Sequence, residues 1–344
     1  MRHASKLGVR NWKNNGLELL WIGGGETGCH GIGTEHVSTA VSNAETPTQR
    51  RSPSRTDLAL LMLGVIWGVN FSVIKVALAE FEPLAFNALR FPLAAATLFF
   101  VLRLRGPIPL PKREHWAQVV FLGLLGNVAY QFLFIFGIDR TLAGNASLML
   151  ATTPVWTLIL TTAIGQGHHA AAAWLGVLAT LIGMVLVVVG GSATVGLGEG
   201  FLAGDLMLVA AAIVWAVYTV GSQSLTRRYG ALAVTSWTLW VGTVVIVASG
   251  AGSVAKTDLA GVPVMAWLGV AYAGILAIAV AYLIWNYGLE HIGAPRTAAF
   301  SNLVPVVALV TAAIWLTERP SPFQILGAAI IILGVWVARA ARVK

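Results

Sequence analysis

The sequence predicts an all-α integral membrane protein with ten transmembrane helices arranged as two inverted five-helix repeats. Three observations carry that prediction: a composition too apolar for a water-facing surface, apolar blocks of bilayer length, and a second half that rewrites the first at a constant spacing. Of 344 residues, 57% are hydrophobic and only 10% charged, with a mean hydropathy of +0.78. An average soluble domain carries about 25% charged residues. The apolar blocks run about 16 to 22 residues, enough to cross a hydrocarbon core of ~30 Å at ~1.5 Å per helical residue.

Taken in order, the predicted spans are 58–79, 84–102, 116–136, 144–163, 172–190, 204–224, 232–250, 264–287, 297–316 and 323–338. The short connections between them leave little room for lipid-exposed irregular backbone, so each block is read as a helix that satisfies its own hydrogen bonds. The alternation of a membrane β-barrel is absent. Residues 1–52 form a polar N-terminal tail, read as disordered, with no apolar run long enough for a secretory signal.

The repeat is visible in the stretch GIDRTLAGNASLMLATTP, from Gly137 to Pro154, and its echo GLEHIGAPRTAAFSNLVP, from Gly288 to Pro305. At the same offset of 151, Gly176 meets Gly327 and Gly183 meets Gly334. Composition alone gives roughly half of one such glycine coincidence, against three observed, so duplication is the better account. The first spans of the two halves agree at an offset of 148, where Asp57 meets Asp205 and Trp67 meets Trp215. The halves are therefore 57–190 and 204–339. Because each holds an odd number of spans, the second enters the membrane upside down, the plan of many secondary transporters.

Orientation follows from the cations. With the N-terminus in the cytoplasm, Arg103, Arg105, Lys112, Arg113, Arg227, Arg228, Arg296 and the C-terminal Arg339, Arg342 and Lys344 fall inside, while Arg140, Lys256 and Arg319 fall outside. This asymmetry is that of short loops under the positive-inside rule. Both termini are expected in the cytoplasm and the chain in the cell inner membrane.

The opening WGVNFSVIK, the FNALRFPLAA of the second span, the paired Gly-to-Pro phrases and the ending LTERPSPFQILGAAIIILGVWVAR together resemble the EamA family of the drug/metabolite transporter superfamily, over about residues 57–339. The resemblance implies a ten-helix bacterial inner-membrane carrier that exports amino acids or other small metabolites. It also implies a glutamate at the end of the fourth helix of each half. Glu318 fits in the second half, whereas the first has Gly167.

Polar groups within spans are costly in lipid, so they face the bundle interior as a substrate site or as links between helices. Pro154 and Pro305 each remove a helical hydrogen bond, to the carbonyls of Leu150 and Ser301. Two such breaks at matching places point to a substrate site at the midplane. Beside them, Trp67 and Asn70 share a face of the first span, Tyr130 and Gln131 lie on the third, Trp215 and Tyr218 on the sixth, and Tyr282, Trp285 and Asn286 on the eighth. With Asn302 next to the second break, these form a candidate substrate site. Aromatic faces with a few amides suit a small amphipathic metabolite. Each also has a plainer use: helix-to-helix hydrogen bonding for Asn70, Asn145 and Asn302, and packing for the tryptophans. Trp116, Trp174 and Trp267 lie near span ends and read as interface residues. Lys75 and Arg90 are basic residues within spans, expected toward the external side near Glu80 and Glu82, where they either pair or attract a carboxylate or phosphate.

The net charge of +8 does not indicate nucleic acid, since the basic residues lie in short connections between apolar blocks. A single cysteine, Cys29, excludes an internal disulfide. His168 and His169 are adjacent in a loop, a poor spacing for metal ligands, and neither a metal nor another cofactor is expected. The sequence contains no G-x-x-x-x-G-K-[ST] phosphate loop, which excludes a one-chain ATP-driven pump. The predicted partners are a small-molecule substrate and the lipid bilayer, with a homodimer left open and no nucleic acid. A membrane-embedded enzyme, the competing class, needs convergent acids, histidines or a nucleophile that the spans scarcely offer; a non-transporting scaffold would not need paired broken helices.

Overall fold

The computed structural model describes residues 55–106, 110–165, 171–195, 199–301 and 303–340, so the predicted tail, His168, His169 and Asn302 lie outside the described residues. Among the described residues all regular structure is helical. Eight helical segments are long and apolar enough to cross a membrane: Arg55–Ala77, Pro83–Arg105, Arg113–Arg140, Ala143–Ala163, Phe201–Tyr229, Ala231–Lys256, Val264–His291 and Ala294–Trp315. Two further apolar stretches, Ala171–Val187 and Pro322–Val337, are shorter.

Helices α1 (Arg55–Ala77) and α2 (Pro83–Arg105) are continuous; Pro83 opens α2 at a position where its missing N–H costs nothing. The third segment is composite. A 3₁₀ turn leads into α3 (Trp116–Leu124), a π-helical turn spans Leu125–Ala129, and α4 (Tyr130–Arg140) follows. The fourth is broken into α5 (Ala143–Leu150) and α6 (Thr153–Ala163), with α7 (Ala171–Val195) after it. Then come α8 (Glu199–Tyr229) and α9 (Ala231–Lys256), joined at Gly230, whose φ of 82° is a left-handed conformation that favours glycine. α10 (Val264–Ala271) runs through a π-helical stretch, Tyr272–Val280, into α11 (Ala281–His291). α12 (Ala294–Phe300) and α13 (Leu303–Trp315) form the second broken segment, and α14 (Pro322–Ala340) ends the chain.

The two predicted breaks therefore appear, each a few residues before its proline. The π turns are absent from the sequence reading, as is the length of α8, which extends beyond the apolar block 204–224 through Arg227, Arg228 and Tyr229.

Small residues let backbones approach closely in lipid, where no hydrophobic drive separates helix from solvent. α7 and α14 touch this way: a Cβ added at Gly183 would lie 2.8 Å from the Gly327 carbonyl, and one at Gly334 would lie 2.7 Å from that of Gly176. Elsewhere, a Cβ at Gly123 would lie 2.8 Å from the Thr238 carbonyl and 2.9 Å from Val241 Cβ, and one at Gly274 would lie 2.6 Å from the Arg90 carbonyl and 3.1 Å from Leu93 Cβ. Gly137 abuts Leu208, and Gly288 abuts Leu60.

Candidate functional site

Three kinds of local irregularity converge on one cavity. The break between α5 and α6 brings Leu150, Ala151 and Thr153 to its wall, the break between α12 and α13 brings Ser301 and Val304, and the π stretch before α11 brings Ala277 and Ile278. Removing helical bonds here leaves carbonyls to be covered, and short side chains cover them. Thr153 Oγ1 donates to Leu150 O at 2.7 Å, the carbonyl that Pro154 cannot reach, and Thr152 Oγ1 donates to Met149 O at 2.6 Å. Trp67 Nε1 donates to Ala277 O at 2.9 Å. Such π turns recur at functional sites in helical proteins.

The remaining wall is aromatic. Trp67 meets Trp215 edge-on at 5.9 Å between ring centroids and Trp285 at 5.3 Å. Tyr282 lies 5.0 Å from Trp215, and Tyr130 lies 4.8 Å from Trp215 and stacks on Phe134 at 5.7 Å. Phe71 completes this side, edge-on to Phe134. The cavity volume is about 60 Å³. One water needs about 10–15 Å³, so this conformation has room for a handful of waters.

One charged side chain lines the cavity. Arg90, 1% exposed, donates from Nε and Nη2 to Asn87 Oδ1 at 3.0 and 2.7 Å, and from Nη2 to Gln131 Oε1 at 2.8 Å. Gln131 Nε2 in turn donates to Tyr282 Oη at 2.7 Å. The guanidinium also rests over the Phe86 ring at 4.7 Å. No acidic residue lines the cavity, and no ion pair involves Arg90 among the described residues.

Of the residues singled out in the sequence, Trp67, Asn70, Arg90, Tyr130, Gln131, Trp215 and Trp285 are brought together on this wall. Tyr218 and Asn286 stand behind it: Tyr218 stacks on Trp215 at 4.9 Å, and Asn286 Nδ2 donates to Tyr218 Oη at 3.1 Å and Thr235 Oγ1 at 2.9 Å. Pro154 and Pro305 shape the two breaks without lining the cavity. Lys75 lies apart, its Nζ donating to Asp139 O at 3.3 Å. Arg90, expected beside Glu80 and Glu82, turns instead toward Asn87 and Gln131. Sequence reasoning missed Asn87 and Thr153, although Asn87 stands three residues before Arg90 on one helical face, a spacing that lets the pair meet.

Comparison with known proteins gives the family. The model of the EamA-like transporter family matches twice, at residues 54–189 and 202–340. The chain belongs to this family. It is a multi-pass membrane protein and a transporter by family, with the plasma membrane as the expected membrane. A probable amino-acid metabolite efflux pump of Escherichia coli is 33% identical over 297 residues, covering 83% of this chain and 95% of that protein. A probable terminal-alkyne amino-acid exporter of Streptantibioticus cattleyicolor is 30% identical over 286 residues, covering 82% and 92%. A solved crystal structure, 20% identical, superposes with a TM-score of 0.64 over 83% of this chain and 99% of that one, which shows the shared fold alone.

Proposed function

We propose that the chain is a secondary carrier that exports amino acids or other small metabolites by alternating access, the cavity lying between two inverted five-helix halves, 57–190 and 204–339. One observation carries this reading: close contacts between the halves map onto one another when the halves are exchanged. Gly123 against Thr238 and Val241 becomes Gly274 against Arg90 and Leu93, since 123 + 151 = 274, 238 − 148 = 90 and 241 − 148 = 93. The contact of Gly137 with Leu208 becomes that of Gly288 with Leu60 by the same arithmetic, and Gly183 with Gly327 becomes Gly334 with Gly176. Counterparts touch each other directly where an axis would pass: Trp67 meets Trp215, and Gln131 meets Tyr282, both at the cavity wall. A site on such an axis, flanked by paired broken helices, can open to either face by rocking one half against the other.

The site residues take roles accordingly. Trp67, Trp215, Trp285 and Tyr130 form apolar faces for the substrate body, Asn70 and Gln131 hydrogen-bond its polar part, and Tyr218 and Asn286 support them; Asn302, outside the described residues, stays a candidate from the sequence. Pro154 and Pro305 hold the helices open at the break. Both termini are assigned to the cytoplasm: the basic loops predicted inside meet, with Arg228 Nη2 3.7 Å from Glu114 Oε1, while Glu318 accepts from the N–H groups of Ala143 and Gly144 beside Lys75 and Asp139 at the predicted outer end. The names of the relatives support export. A membrane-embedded enzyme is disfavoured because, among the described residues, neither an acid nor a histidine lines the cavity.

The test compares the metabolites retained by cells with and without the gene, then measures transport of each accumulated compound in proteoliposomes. The carrier reading expects a small amphipathic compound to accumulate without the gene and to cross membranes that contain the protein. Conversion of such a compound into a product by the purified protein, with no movement, would establish the enzyme reading in its place.

A further inference from the structure

Resting on the carrier reading above, we propose that the cavity selects metabolites bearing a carboxylate on an apolar or aromatic body, anchored by Arg90, and prefers a plain anion to a zwitterionic amino acid or an amine. Four observations converge. First, the Arg90 guanidinium is permanently charged, 1% exposed, and bonded only to the neutral amide oxygens of Asn87 and Gln131. Its Nη1 meets no acceptor among the described residues. An ion withdrawn from water is strongly destabilising unless a counter-charge meets it, and neutral amides supply none. Second, the cavity meets both ends of each break, the C-terminal ends of α5 and α12 at Leu150, Ala151 and Ser301 and the first turns of α6 and α13 at Thr153 and Val304, so the opposed helix ends supply no net counter-charge to the guanidinium. Third, Trp285 Nε1 is a buried donor without a partner on the same wall, in a residue that is 0% exposed. Fourth, the free acceptor that lines the cavity, Asn70 Oδ1, is neutral and accepts from a hydroxyl as readily as from an ammonium.

A carboxylate fits this field. Its oxygens accept from Arg90 Nη1, which carries the guanidinium hydrogens not already given to Asn87 and Gln131, and have lone pairs left for the Trp285 N–H. An ammonium on the same molecule meets no acid among the described lining residues and shares the cavity with the Arg90 cation, so each added positive charge weakens binding. The aromatic wall of Trp67, Trp215 and Tyr130 takes the apolar body.

The experiment measures binding by isothermal titration to the full chain in lipid nanodiscs at neutral pH. Its probes are four compounds with one phenyl ring: 3-phenylpropionate, phenylalanine, 2-phenylethylamine and the uncharged 3-phenylpropanol. The expected order places 3-phenylpropionate about ten-fold or more ahead of the alcohol, as a hydrogen-bonded charge gives, with phenylalanine weaker than the propionate and the amine weakest. Arg90→Gln should remove the about ten-fold advantage of the propionate over the alcohol, read as the ratio of the two affinities within the variant. Arg90→Lys, which keeps the charge but loses the fork, should retain part of the preference. Phenylalanine or the amine binding as well as the propionate in the parent protein overturns the proposal, whether or not the variants fold. So does a preference that survives Arg90→Gln. Equal binding of all four removes the charge selectivity and leaves the cavity as the carrier's site, whereas binding of none removes both.

Discussion

The two matched regions build polar networks at corresponding positions, with different chemistry. In the first, Arg90 bonds Asn87 and Gln131. At the counterpart positions of the second, Thr238 replaces Arg90, Thr235 replaces Asn87 and Tyr282 replaces Gln131, and the network centres on Asn286, which donates to Thr235 Oγ1 and Tyr218 Oη. The backbone contacts at these places are shared, down to the glycines beside Arg90 and Thr238. Duplication thus kept the framework and let the side chains diverge. One network holds a cation that its neighbours do not neutralise; the other, behind the cavity wall, holds hydroxyls and an amide bonded mainly among themselves. Close packing constrains the small residues in both copies, while on the proposal above a single charge serves the substrate.

The largest effects are expected where the copies agree. Gly123→Val and Gly274→Val each drive a side chain into a neighbouring helix backbone and should destabilise the fold by about 1–3 kcal/mol or more, by similar amounts. Unfolding of the two variants in detergent measures this, and tolerance of one with collapse of the other would break the correspondence. Next come the counterpart tryptophans. Trp67→Ala or Trp215→Ala removes an aromatic face worth about 1–3 kcal/mol, so export at matched membrane abundance should fall roughly 5- to 150-fold. Rates equal to the parent's for both would make these rings packing residues and move the substrate elsewhere. Where the copies differ, the effects separate: Asn286→Ala should lower stability by about 1–3 kcal/mol through the hydroxyls it abandons, without changing the charge preference of binding. A lost anion preference in a stable Asn286→Ala protein would contradict the division drawn between the networks. The smallest effect belongs to Trp174, 41% exposed, whose change to phenylalanine should leave export within about two-fold.

Much of this was legible in the sequence because the membrane forces it to be. Lipid demands helices, helices of known rise demand blocks of fixed length, and glycines and prolines mark where backbones touch or break; hence Gly176, Gly183, Pro154 and their echoes could be aligned without coordinates. The pairing of Trp67 with Trp215 followed from the same arithmetic. The π turns at Leu125–Ala129 and Tyr272–Val280 did not, because an extra residue in a helical turn has no local residue code and is held by packing across the cavity, such as Trp67 Nε1 on Ala277 O. Arg90 was legible as a costly residue within a span but not as a cavity residue, since sequence spacing fixes its place on α2 and not the tilt that turns it toward Gln131. The reach of α8 past its apolar block was hidden for a simpler reason: beyond the apolar block the polar residues Arg227, Arg228 and Tyr229 still continue the helix.

The central claim is that this cavity is the substrate path and opens to each face in turn. Ala151 lies at the break between α5 and α6, buried in the wall, and a cysteine there is a small change that a water-borne reagent reaches only when the cavity opens. With Cys29, the only native cysteine, replaced by serine, Ala151→Cys would be treated with a membrane-impermeant thiol reagent in membrane vesicles of both orientations. Alternating access predicts labelling from both faces, slowed by the transported compound. Labelling from neither face, in a protein that still transports, would place the path elsewhere and contradict the account.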